Sequence, residues 1–175
     1  MEFSSLTRNG ERDFDFLFGE WIVQGRRRRH PGDPWQTFEA VQKCWPLLNG
    51  LGNVGEIVSE AGDPLYACLR FFDRQSGLWT IYSVSLIEGI AQPPVRGGFA
   101  GGQGEFRGED TVDGQPVVLK DVWTGAATHR PRWERALSTD GGRSFESCWV
   151  MELERVFWPL EAGPVPEWLP APAWG

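Results

Sequence analysis

The sequence predicts an all-β protein, an antiparallel up-and-down barrel of about ten strands with a short N-terminal helical turn and a Pro/Trp-rich C-terminal tail. Three observations predict it. Turn signals recur at short intervals: Pro31-Gly32-Asp33-Pro34, Asn49-Gly50, Gly62-Asp63-Pro64, Ser76-Gly77, Asp113-Gly114 and Asp140-Gly141-Gly142. The runs between them are rich in Val, Ile, Thr and aromatics, with no helix of any length separating them, as in a hairpin meander. Ten such strands favour closure, because a barrel leaves no unpaired edge.

Strands are expected at 20–29, 36–45, 54–60, 65–72, 78–86, 95–99, 103–110, 116–124, 132–138 and 144–155. The one helical candidate is a turn or two from Glu11 to Phe18. The first strand carries Gly19-Glu20-Trp21 at its start and four arginines at its end, which alternation splits into Arg26 and Arg28 against Arg27 and Arg29. These are solvated strand-end charges, or one pair holds an anionic group at a cavity mouth. Tyr66, Cys68, Arg70 and Phe72 share a face, as do Val117, Leu119, Asp121 and Trp123. In the last strand Phe145, Ser147, Trp149, Met151 and Leu153 form the face expected to point inward. Gly104, Phe106 and Gly108 align on another strand, where small residues let a wall bend or a ligand approach. Residues 1–155 read as a single barrel domain. Residues 156–175 read as an extended tail, packed on or capping the barrel, because FWPLEAGPVPEWLPAPAWG carries too many prolines for a helix or inner strand.

A chain of 175 residues, 41% hydrophobic and 23% charged, can bury a core as one globular domain. Its net charge of −7 argues against nucleic acid and anionic membranes as partners. The start has no signal-peptide core, and no apolar run is long enough to span a bilayer, so a cytoplasmic protein is expected. Three dispersed cysteines, Cys44, Cys68 and Cys148, read as reduced thiols. Two histidines, His30 and His129, lie in loops, so no metal site and no cofactor are expected. Ten tryptophans and eleven phenylalanines imply an interior wide enough to need them, as filling or as lining.

Gly19-Glu20-Trp21 resembles the G-x-W signature of the lipocalin and calycin barrels. The segments DFDFLFGEW (13–21), PLLNGLGNVGE (46–56), LRFFDRQSGLWTIY (69–82), FRGEDTVDGQPV (106–117) and RWERALSTDGGRSFESCWVMELER (132–155) resemble a group of uncharacterised bacterial proteins of that fold. The resemblance implies a fold and a cavity and carries no catalytic motif. It also implies that Arg155, after the last strand, lies across Trp21 and closes the barrel floor. Cation–π attraction there contributes on the order of 0.5–2 kcal/mol. Where relatives often carry polar or aromatic groups, this chain has Ser83, Val84, Ser85 and Cys148, so its ligand is expected to differ from theirs.

The interior is expected to bind a small hydrophobic or aromatic molecule through Arg70, Trp123, Trp133, Trp149, Ser147 and Phe106. Arg70 needs a carboxylate, Glu134 or Asp121, or else a ligand, because an unpaired buried arginine is costly. The alternative is a cofactor-independent enzyme, a cyclase, isomerase or dehydratase acting on a conjugated natural-product-like substrate. Glu134 and Asp121 would be its acids or bases, raised in pKa by tryptophan walls, and Tyr82 would donate a hydrogen bond. Catalysis would come mainly from orienting the substrate and excluding water. A third reading gives the tail a role in self-association as a homodimer.

Overall fold

Each turn signal falls where the chain reverses. The computed structural model describes residues 10–86 and 89–156; the expected tail lies outside these residues. A 3-10 turn at Asp15–Leu17 leads into β1 (Gly19–Arg27), followed by β2 (Gln36–Leu47), β3 (Gly52–Val58), β4 (Pro64–Asp73) and β5 (Leu78–Ser85). The remaining strands are β6 (Ile90–Ala100), β7 (Gln103–Val112), β8 (Gln115–Thr124), β9 (Arg132–Ser138) and β10 (Glu146–Arg155). Each pairs antiparallel with its chain neighbours, and β1 pairs with β10 to close the barrel. This is the all-β, ten-strand, up-and-down architecture the sequence predicts. No helix among the described residues is long and apolar enough to cross a membrane.

One barrel end is closed by the segment ahead of β1. Phe14 is fully buried and makes edge contacts to Trp79 and Phe99, with ring centroids 5.0 and 5.1 Å away. It also stacks on Phe106 at 5.5 Å. Each such pair contributes about 0.5–1.5 kcal/mol beyond area burial. Trp21 is likewise buried, and its Nε1–H donates to the Leu17 carbonyl at 2.8 Å, so the indole leaves no polar atom unsatisfied. The Arg155 guanidinium lies over Trp21, 4.0 Å from the ring centroid, as the resemblance implies. It also donates to the carbonyls of Phe18 and Phe16, at 2.8 and 2.5 Å, which ties the plug to the end of the last strand. Gly19 turns the chain here at φ 110°, and a Cβ would lie 3.1 Å from Arg155 Nη1.

Two elements differ from the sequence expectation for identifiable reasons. β6 starts at Ile90 instead of residue 95, although Pro93 and Pro94 interrupt it. Only Arg96–Ala100 pair with β7, and a register shift between Ile81 and Ser83 accommodates the first half against β5 alone. The prolines thus fall in the irregularity itself, between the paired Gln92 and Val95, where a missing N–H is tolerated. β10 starts at Glu146 instead of residue 144 because Asp140 captures the preceding loop. Its carboxylate accepts from Ser138 Oγ, Ser144 Oγ and the backbone N–H groups of Arg143 and Ser144. Those hydrogen bonds, led by the Ser144 N–H, hold its carboxyl far below the usual range.

Candidate functional site

Above the plug, the inward faces of the strands enclose a cavity. Alternation places Gln42 on β2, Gly55 and Ile57 on β3, Tyr66, Cys68 and Arg70 on β4, and Ile81 and Ser83 on β5. Gln92, Asp121, Trp123, Trp133, Arg135, Trp149 and Met151 complete the wall from β6 and β8–β10. About 40 Å³ is open to the centres of water-sized groups. One water needs roughly 10–15 Å³ on that measure, so a compact guest fits. The tryptophans fill more of the barrel than they line: Trp21 and Trp79 belong to the packed floor, and Trp123, Trp133 and Trp149 face the cavity.

Two arginines stand in this wall. Arg135 is fully committed. Its Nε and Nη2 donate to the two Asp121 oxygens at 2.7 and 2.8 Å, and its Nη1 donates to Gln92 Oε1 at 3.0 Å. Burial works against its charge, but the adjacent Asp121 carboxylate outweighs this and drives its pKa far upward. Arg70, 5% exposed, has no carboxylate partner among the described residues. Its Nη1 donates to the neutral Asn53 Oδ1 at 2.9 Å and its guanidinium lies 5.3 Å from the Phe14 ring, yet its Nε bonds to nothing among the described residues. The nearby Cys44 thiol supplies no counter-charge: burial pushes its pKa up, against the lowering pull of Arg70. Gly55 makes the space, since a Cβ there would sit 3.1 Å from Arg70 Nη1.

Apart from Ser147 Oγ, which lies outside the cavity, the other unpartnered polar atoms are of one kind. Gln42 Nε2, Asn53 Nδ2 and Trp149 Nε1 are buried without a partner among the described residues, and all are donors. Because Asn53 Oδ1 accepts from Arg70 and from the Cys44 thiol, its amide nitrogen is oriented as a donor. At the far, open end, Tyr66 packs on Trp149 with centroids 4.9 Å apart and accepts a hydrogen bond from Arg27 at 2.9 Å. Among the described residues, no group of three or more His, Cys, Asp or Glu is placed to hold a metal ion.

Arg70, Asp121, Trp123, Trp133 and Trp149 therefore come together in the cavity wall. The expected pairing of Arg70 with Asp121 or Glu134 is corrected, because Asp121 lies directly across from Arg135 in the β8–β9 register. Glu134 is outside the wall, with Arg132 Nη2 2.6 Å away. Its pKa is not raised. Burial pushes it up, but the neighbouring Ser147 hydroxyl, the Arg132 guanidinium and the charge of Arg26 leave it below the usual value. Tyr82 is 45% exposed on the outer face. Ser147 is turned out of the cavity by a bulge between Ser147 and Trp149, which breaks the alternation read along β10. Phe145 lies beyond the strand, under Arg107 and Lys120. Phe106 points inward but belongs to the plug.

The arginine run divides by face. Arg27 points inward to Tyr66, while Arg26 and Arg28 lie over Trp35, 5.0 and 4.8 Å from its ring. Arg29 pairs with Asp113 at 2.8 Å. Arg135, Gln42, Asn53 and Gln92 were not singled out by the sequence. Arg135 was accessible to it, since it is two residues from the inward Trp133. Gln42 has the same signal beside Ala40 and Cys44.

No family model matches the chain, and no curated protein is similar to it in sequence. Among solved structures it is similar to Rv2717c from M. tuberculosis, with a TM-score of 0.50 and 13% identity over 83% of this chain and 98% of that one. At that identity the likeness shows a shared fold, and the closed ten-strand barrel is consistent with a calycin-like architecture.

Proposed function

We propose that this protein binds a small apolar or aromatic molecule inside the barrel. The observation that carries the reading is a cavity whose wall combines the indoles of Trp123, Trp133 and Trp149 with Arg70 and Gln42, both of which hold unpartnered donors among the described residues. Interiors normally satisfy their polar groups, so buried donors beside a cavity support a guest that completes them. The same placement weighs against proton chemistry by the groups first expected to perform it. Glu134 and Tyr82 face away from the cavity, and Asp121 is held by both oxygens in its pair with Arg135. Binding is therefore the better supported reading, and the cyclase, isomerase or dehydratase reading has no uncommitted carboxylate inside the wall among the described residues.

Intrinsic tryptophan fluorescence tests it. Titration with a panel of single-ring aromatic and short aliphatic compounds is expected to give a saturable change, with the compound recovered at unaltered mass. Ser83→Trp, which fills the cavity from β5, is expected to abolish the change while the barrel's far-UV spectrum stays intact. Absence of any saturable change in the wild-type protein, or full binding by the filled variant, defeats the reading.

A further inference from the structure

We infer that the guest is an anion, an apolar carboxylic acid whose carboxylate seats against Arg70, with Gln42 in the same wall, at the inner end of the cavity. The inference rests on the binding reading above and adds the chemistry of what is bound.

The argument runs from charge. Arg135 and Asp121 cancel one another in a bidentate pair, which leaves the Arg70 guanidinium as an uncompensated positive charge in the cavity wall. A buried ion is unfavourable unless paired and hydrogen-bonded, and among the described residues Arg70 has a neutral amide and the Phe14 ring beside it but no carboxylate. Its Nε, Asn53 Nδ2 and Gln42 Nε2 are buried donors without a partner among the described residues, and Arg70 and Gln42 both stand in the cavity wall. A neutral guest with equal donors and acceptors would leave some of these unmet. A carboxylate carries only acceptors and matches the edge of a guanidinium in shape and charge.

The remainder of the cavity sets the rest of the molecule. Trp133 and Trp149 meet edge to face at 5.5 Å, and Met151 and Ile57 extend the apolar surface. With about 40 Å³ open to group centres, the acid is compact, with one ring or a short chain. The direction of binding follows. Arg70 lies over Phe14 of the plug, so the charged end goes in first and the hydrocarbon points toward Tyr66 and the mouth.

Calorimetric titration of the full chain with matched pairs decides this: benzoate against benzamide, phenylacetate against phenylacetamide, hexanoate against hexanamide, with formate as the bare anion. Wild-type protein is expected to bind the acids at least about tenfold more tightly than the amides, the range for a charged hydrogen bond that finds its partner. Arg70→Met is expected to reduce that preference below about twofold while still binding the amides. Asn53→Asp, which places a carboxylate beside Arg70 within the protein, is expected to expel the acids in the same way, and it decides the matter if Arg70→Met does not fold. Equal affinity for acids and amides in the wild type, or an acid preference that survives Asn53→Asp, overturns the anion inference and leaves the binding reading standing. Formate binding as tightly as phenylacetate overturns the apolar half of it. Binding of none of these compounds defeats both.

Discussion

Arg70 and Arg135 occupy comparable places and meet opposite fates. They are carried by β4 and β9, five positions apart in a ring of ten strands, and so face each other across the cavity. Both are buried, at 5% and 9% exposure. Arg135 has a carboxylate directly across from it in the neighbouring strand and uses every nitrogen. Arg70 lies beside Asn53 in the β3–β4 register, and the amide satisfies one of its nitrogens. One wall is therefore electrically complete and the other is not. The difference teaches that burial alone does not set an arginine's electrostatic state; the residue that the neighbouring strand places across from it does.

The two walls should respond to the same substitution with opposite signs. Arg135→Met strands Asp121 inside the barrel and is expected to cost about 3–5 kcal/mol of stability, read as a lower midpoint in urea unfolding. Arg155→Met, at the floor, removes the cover of Trp21 and leaves the Phe16 and Phe18 carbonyls unmet, for about 2–3 kcal/mol by the same measurement. Arg70→Met exchanges an uncompensated charge for an apolar chain of similar length and is expected to stabilise by about 1 kcal/mol. A large loss on Arg70→Met would mean that Arg70 is structural and that the two walls are alike.

Alkaline pH probes the completed wall. The Cys148 thiol donates to the Arg135 backbone carbonyl at 3.5 Å, and burial pushes its pKa up to about 11, against the lowering influence of Arg135. The folded state thus holds the thiol proton more tightly than the unfolded chain, whose ordinary value is 9.0. This contribution is fully present below about pH 9 and is lost as pH rises through about 11. Cys148→Ala is expected to remove that part of the alkaline decline in unfolding free energy, and native Cys148 should react slowly with a thiol reagent at pH 8. The smallest effects are expected outside the barrel. Tyr82→Phe and Glu134→Gln should leave acid binding within about twofold of wild type, since neither side chain enters the cavity. A larger change in either would place ligand where the wall does not.

Much of the fold was legible because it is written in local signals. Turn dipeptides located six of the reversals, and Gly19-Glu20-Trp21 with Arg155 located the floor. The inward faces of β4 and β8 followed from strict alternation, which brought Arg70, Asp121 and Trp123 to the site. Alternation failed where the backbone departed from it. A single bulge in β10 removed Ser147 from the cavity while leaving Trp149 in it. Glu134 was misplaced for a different reason: its flanking Trp133 and Arg135 take the inward positions, so period 2 forces it out.

The sequence by itself determined that ten strands close into a barrel and that aromatics plug one end, because pattern and turn chemistry act over a few residues. Only the tertiary structure decided which arginine is neutralised. That choice depends on the register between β8 and β9, which sets Asp121 opposite Arg135, and on the ring closure that sets Arg70 on the far wall. Register and closure are fixed by the packing of all ten strands at once. No short stretch of the chain carries them.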